Sequence, residues 1–89
     1  MADTDKYAEL SLRVGKLLRQ ERERRNLSMT GVASAAGLSQ QMVSYVERGL
    51  RRPTLESLLR ISDAVGVELA ATISKAIFEF ERSRGAKKP

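Results

Sequence analysis

"VASAAGLSQQMVSYVERG", residues 32–49, holds two short apolar frames separated by a glycine. Before Gly37, Val32, Ala33 and Ala36 share one face of a helix of about two turns. After it, Leu38 is apolar, and Val43 and Val46 repeat at i, i+3 until Gly49 stops the second helix. Ser28 and Ser39 stand where each helix begins, and a serine oxygen there accepts from an otherwise unpaired first-turn amide. Joining two such helices tightly takes a small residue at their contact, a residue able to adopt positive φ between them, and apolar positions that fix their crossing angle. Ala33, Gly37 and the set Val32, Ala36, Leu38, Val43 and Val46 meet those needs in turn. The stretch predicts a helix-turn-helix.

Helical spacing continues on both sides. Tyr7, Leu10, Val14, Leu17 and Leu18 form one apolar stripe of a first helix over about Asp5 to Arg25. Asn26 can end it in the left-handed conformation, with Leu27 folding back as an apolar clasp. Leu50, Arg51, Arg52 and Pro53 form a loop, and Thr54 caps a fourth helix whose Leu55, Leu58, Leu59, Ile61 and Val65 are expected to face inward, closed by Gly66. A fifth helix from near Glu68 carries Leu69, Ala70, Ile73, Ala76, Ile77 and Phe80 on one stripe. No sustained period-two alternation and no repeat interrupts this order. The expected fold is all-α, with an N-terminal extension over 1–12 continuous with the first helix, a five-helix domain over 13–82, and a basic disordered tail over 83–89.

Composition narrows the function. The chain of 89 residues has no Cys and no His, so the commonest zinc ligands and the usual catalytic thiol and imidazole are missing. No nucleophile–base pair, metal cluster or glycine-rich phosphate loop is evident, and the chain reads as a non-enzyme without cofactor or metal. There is no run of eighteen apolar residues, and Met-Ala-Asp-Thr-Asp-Lys lacks the basic-then-apolar order of a secretory signal, so a cytoplasmic protein without membrane contact is expected. The net charge of +5 is concentrated: residues 13–52 hold nine Arg and Lys against three Glu. Clustered positive charge suits a polyanionic partner, although a solvated helix face gives the same pattern.

The blocks "VGKLLRQERERRNLS", "VASAAGLSQQMVSYVERG" and "RRPTLESLLRISDAVGV" occur in order within residues 14–72. Together they resemble the DNA-binding domain of phage lambda repressor and Cro proteins, the XRE family. The resemblance implies five helices, the third lying in the major groove of double-stranded DNA, and a homodimer on a palindromic operator. It also implies an ion pair between Arg22 and Glu47, which would keep that carboxylate from repelling phosphate. Two positions depart from the family: the glutamine that often opens the second helix is Met29, and the capping-box glutamate is Gly31. Weaker phosphate anchoring at that helix is expected.

With Val43 and Val46 turned inward, Gln40, Gln41, Ser44 and Tyr45 occupy the other side of the third helix as candidate base readers. Glutamine can bond adenine N6 and N7 together, a pattern that only the major groove displays. Gln40, at the helix end, is divided between a base and a phosphate, and Ser44 is short enough for a water to intervene. Tyr45 can stack on a sugar, touch a thymine methyl, or lie half-buried against the fourth helix. Phosphate contact falls to Ser39, Arg48, Arg51, Arg52 and Thr54, the last through amides at a helix start, although Arg51 and Arg52 can also be solubilising charges.

The fifth helix extends past what the core needs. Phe78 lies about 140° from Ile73 at 100° per residue, so Phe78 and Phe80 cannot both enter one small core. Ile73, Ile77, Phe78 and Phe80 are expected at a homodimer interface, the alternative being Phe78 packed beneath the N-terminal extension around Tyr7. The function expected is a sequence-specific transcriptional regulator, a repressor. The alternatives are the antitoxin of a toxin–antitoxin pair, gripping a toxin as protein partner, and a restriction–modification controller.

Overall fold

Five helices and their short connections make up the computed structural model, which describes residues 2–85, with side chains from Lys6 to Ser83. They are α1 (Ala2–Arg24), α2 (Met29–Ala36), α3 (Gln40–Arg48), α4 (Leu55–Val65) and α5 (Leu69–Gly85). The N-terminal extension is helical and continuous with α1. The tail expected from residue 83 begins with helical backbone as far as Gly85, and 86–89 lie outside the described residues.

The ends of the helices follow local chemistry. Ser28, Ser39 and Thr54 each cap with an extended backbone and a side-chain oxygen accepting the amide three residues on. Gly37, Gly49 and Gly66 close α2, α3 and α4 with positive φ. Asn26, at φ 58°, ends α1 in the same conformation. Its amide bonds the Glu23 carbonyl and that of Leu27 the Arg22 carbonyl, the paired reverse bonds of a helix terminus. The Leu27 side chain stays exposed, so the clasp expected there is made by backbone alone.

Val14, Leu17, Leu18, Val32, Ala33, Val43, Val46, Ile61, Val65, Leu69 and Ala76 make one core. Around it α1 packs on α3 and α5, and α2 on α3 and α4. Gly15 lies where α1 crosses α3, and a Cβ there would collide with the Val46 carbonyl oxygen. The absent side chain therefore sets how closely α1 approaches α3.

Several expected inward positions are corrected. Tyr7 is exposed, because the stripe of α1 meets the core only from Val14 onward, with Leu10 half-buried. On α4, Leu55 is 64% exposed and Leu59 47%. They lie about 120° and 160° round the helix from Ile61, and the core touches only one side. Ser62 is buried instead, its hydroxyl donating to the Leu59 carbonyl at 3.0 Å. On α5 the buried line is Leu69, Thr72, Ala76 and Phe80, so Ala70 and Ile77 are exposed and Ile73 is only partly covered.

Candidate nucleic-acid interface

The helix-turn-helix predicted from residues 32–49 is present, its contact residue Ala33 and wedge residues Val32, Ala36, Val43 and Val46 buried and Leu38 half-buried. Gly37 takes φ 70°, and the Leu38 amide returns to the Ala33 carbonyl at 2.9 Å, which turns the chain from α2 into α3. Met29, where the family often has glutamine, packs against the core, so α2 opens with an apolar foot.

Beneath α3 lies an ion pair. Arg22 Nε donates to Glu47 Oε2 at 2.8 Å and Nη2 to Oε1 at 3.1 Å, with both side chains buried. The third nitrogen, Nη1, donates to the Leu27 carbonyl at 2.8 Å. Fork-on-fork geometry with all three guanidinium nitrogens engaged is what lets a buried guanidinium–carboxylate pair persist. The hydrogen bond from Arg22 to Glu47 holds the guanidinium pKa above its ordinary value. The pairing implied by the family resemblance is thus present in this chain.

The outward side of α3 is more ordered than the sequence suggested. Gln40 and Gln41 are exposed, whereas Ser44 and Tyr45 are half-buried. Gln41 Nε2 donates to the Tyr45 hydroxyl at 2.5 Å, and the Arg51 guanidinium lies 5.1 Å from the centre of the tyrosine ring. Gln40 Oε1 accepts from Thr30 Oγ1 of α2 at 3.0 Å. Thr30 was not foreseen, since spacing within one helix does not report what the neighbouring helix brings to it.

Around this face stand Arg48, Arg51 and Arg52, all exposed and without a carboxylate partner among the described residues. Ser39 Oγ accepts from the Met42 amide, and the Thr54 hydroxyl accepts from the Ser57 amide while donating to Ser57 Oγ. Thr54 therefore offers an anion the amides of the α4 start rather than its own proton. Ala8, Ser11 and Leu12 of α1 form one wall of a groove whose other wall is Gly49, Leu50, Arg51 and Arg52, bringing the first helix beside the basic loop. Arg24 and Arg25 belong elsewhere: both bond Glu21, and Arg25 also donates to the Val65 and Gly66 carbonyls. Arg60 similarly closes the end of α2 by donating to the Ala36 carbonyl at 3.1 Å.

At the surface expected to pair two copies, Phe80 is 4% exposed beneath the Arg13 guanidinium, so it belongs to the core of this chain and not, as expected, to an interface. Phe78 remains 60% exposed beside Arg82, and Tyr7 is also exposed, so the described side chains of the extension do not cover Phe78.

The capped α2–α3 pair, its glycine turn and the buried arginine–glutamate pair define a helix-turn-helix domain with one polar, cation-flanked face. A family profile described as "Helix-turn-helix" matches residues 18–71, more than half of the chain, and the chain belongs to this family, the XRE type of DNA-binding domain. An uncharacterised HTH-type transcriptional regulator of Mycobacterium tuberculosis is 40% identical over 53 residues, covering 60% of this chain. The chain spans only 38% of that relative's length. The restriction–modification controller protein C.AhdI from Aeromonas hydrophila is 33% identical with a TM-score of 0.67, covering 74% of this chain and 98% of that one. The clp gene regulator ClgR from Corynebacterium glutamicum is 26% identical with a TM-score of 0.72, covering 79% and 91%. Among the described residues no helix is long and apolar enough to cross a membrane.

Proposed function

We propose that this chain is a sequence-specific regulator of transcription, a repressor, that binds a palindromic operator as a homodimer with α3 in the major groove. The observation that carries this is the outward face of α3, where exposed amides stand beside Arg48, Arg51 and Arg52, none of which has a carboxylate partner among the described residues. Amides can read base edges, and unpaired cations next to them can hold phosphates and fix the register. Ser39 and the amides at the start of α4 add neutral phosphate donors at helix N-termini. Ile77 and Phe78, with partly covered Ile73, supply the apolar surface for a second copy.

Selection of bound duplexes from random double-stranded DNA tests the reading. The parent should enrich one palindromic sequence, and Gln41→Ala should lose its preference at one base pair per half-site by roughly 1–3 kcal/mol. Failure of the parent to enrich any sequence overturns the proposal. Sedimentation at micromolar concentration should give a dimer that Ile77→Ser/Phe78→Ser converts to monomer, and a monomeric parent removes the homodimer. A second reading, a restriction–modification controller, is favoured by the match to C.AhdI over nearly that protein's whole length.

A further inference from the structure

Gln40 and Gln41 are chemically identical and adjacent, yet their neighbours engage opposite ends of their amides. A carboxamide has one oxygen acceptor and two N–H donors, and only one N–H shares an edge with the oxygen. Gln41 gives a donor to the Tyr45 hydroxyl at 2.5 Å, and Tyr45 is held between the protein surface and the Arg51 guanidinium. Its oxygen and one N–H are left for the groove. Gln40 gives its oxygen to Thr30 at 3.0 Å, and its amide protons make no bond to another described residue.

We infer that Tyr45 and Thr30 are positioning residues that assign the two glutamines different reading chemistry. Tyr45, taking the Gln41 proton that points away from the amide oxygen, leaves Gln41 the acceptor–donor edge that fits adenine N6 and N7. Thr30 orients Gln40 as a donor, which fits an acceptor atom of the duplex, either a guanine edge or a phosphate oxygen. The inference rests on α3 being the DNA-reading helix and adds which residue controls which contact. Freely turning glutamines would accept more than one base. Held amides discriminate, since a fixed donor facing a donor leaves both without partners.

The test repeats the random-duplex selection with Gln41→Ala, Tyr45→Phe, Gln40→Ala and Thr30→Val, each protein also titrated with salt on the duplex that the parent selects. Tyr45→Phe keeps the ring under Arg51 and removes only the hydroxyl. Expected is an adenine preference at one base pair per half-site, lowered roughly 5- to 150-fold by Gln41→Ala and at that same base pair, by less, in Tyr45→Phe. Thr30→Val should reproduce the Gln40→Ala defect in weaker form. That defect falls at one base pair if the acceptor is a guanine edge, and across all sequences with a shallower salt dependence if it is a phosphate. The inference is overturned if Tyr45→Phe keeps the preference that Gln41→Ala loses, or shifts a different base pair, which would make Tyr45 a direct reader. It is equally overturned if the Gln41-dependent base is guanine, or if Thr30→Val leaves intact what Gln40→Ala removes. A parent without sequence preference instead brings down the underlying reading, which separates the two failures.

Discussion

Gly15 occupies the middle of a 23-residue helix, where glycine costs about 1 kcal/mol relative to alanine. Its place is explained by the Val46 carbonyl lying where a side chain would be. Because that obstacle is backbone, Gly15→Ala should destabilise the fold by roughly 1–3 kcal/mol despite its better helix propensity. A lower urea midpoint with an unchanged slope would show it, and a stabilised variant would contradict the close approach. Arg22 poses a different case, because removing it strands a buried carboxylate. Arg22→Met should cost about 3–5 kcal/mol, whereas Arg22→Met/Glu47→Leu, which removes both charges, should recover most of it. A double variant as unstable as the single one would mean that the Leu27 contact, rather than the charge pairing, holds Arg22 in place.

At the level of the helices, the turn between α2 and α3 is the feature most exposed to backbone change. Gly37→Ala places a side chain in the left-handed conformation and should cost roughly 1–2 kcal/mol, read as a lowered thermal midpoint. The nearest obstacle to its Cβ, the Arg60 guanidinium tip, can move aside, so the backbone sets the cost. Helix existence and ends were legible in the sequence, because caps and left-handed glycines act locally through Ser28, Ser39, Thr54, Asn26, Gly37, Gly49 and Gly66. The facing of α4 and α5 was less so. Leu55, Leu59 and Ile77 are apolar and near the right spacing, but which arc of a helix is covered depends on its neighbours. Their angles from Ile61 and Ala76 held the information, since a core touching one side cannot cover five apolar residues spread round α4. Gly15 also carried a signal, as an isolated glycine inside a strong helical pattern points to close packing. Within the candidate site, the outward set on α3 followed from its apolar frame. The contacts of Gln40 with Thr30 and of Tyr45 with Arg51 cross between elements, and no periodicity encodes them.

Across the whole molecule, charge is sorted by how it is used. Arg22, Arg24, Arg25 and Arg60 bond carboxylates or carbonyls of the protein, while Arg48, Arg51 and Arg52 face outward. Arg52, which also has no aromatic contact among the described residues, gives the cleaner test of phosphate binding. Arg52→Ala should weaken all DNA sequences alike and reduce the slope of log affinity against log salt by about one unit per protomer. A change confined to one base pair would instead make Arg52 a base reader. The burial of the Arg22–Glu47 pair has a consequence for this balance. At 1 M salt the screening length is only about 3 Å, so exposed cations lose their hold on a polyanion, whereas a bidentate pair from which ions are excluded is little affected. Ionic strength should then act as a release that leaves the architecture standing, so that the proposed complex with DNA comes apart and re-forms without refolding.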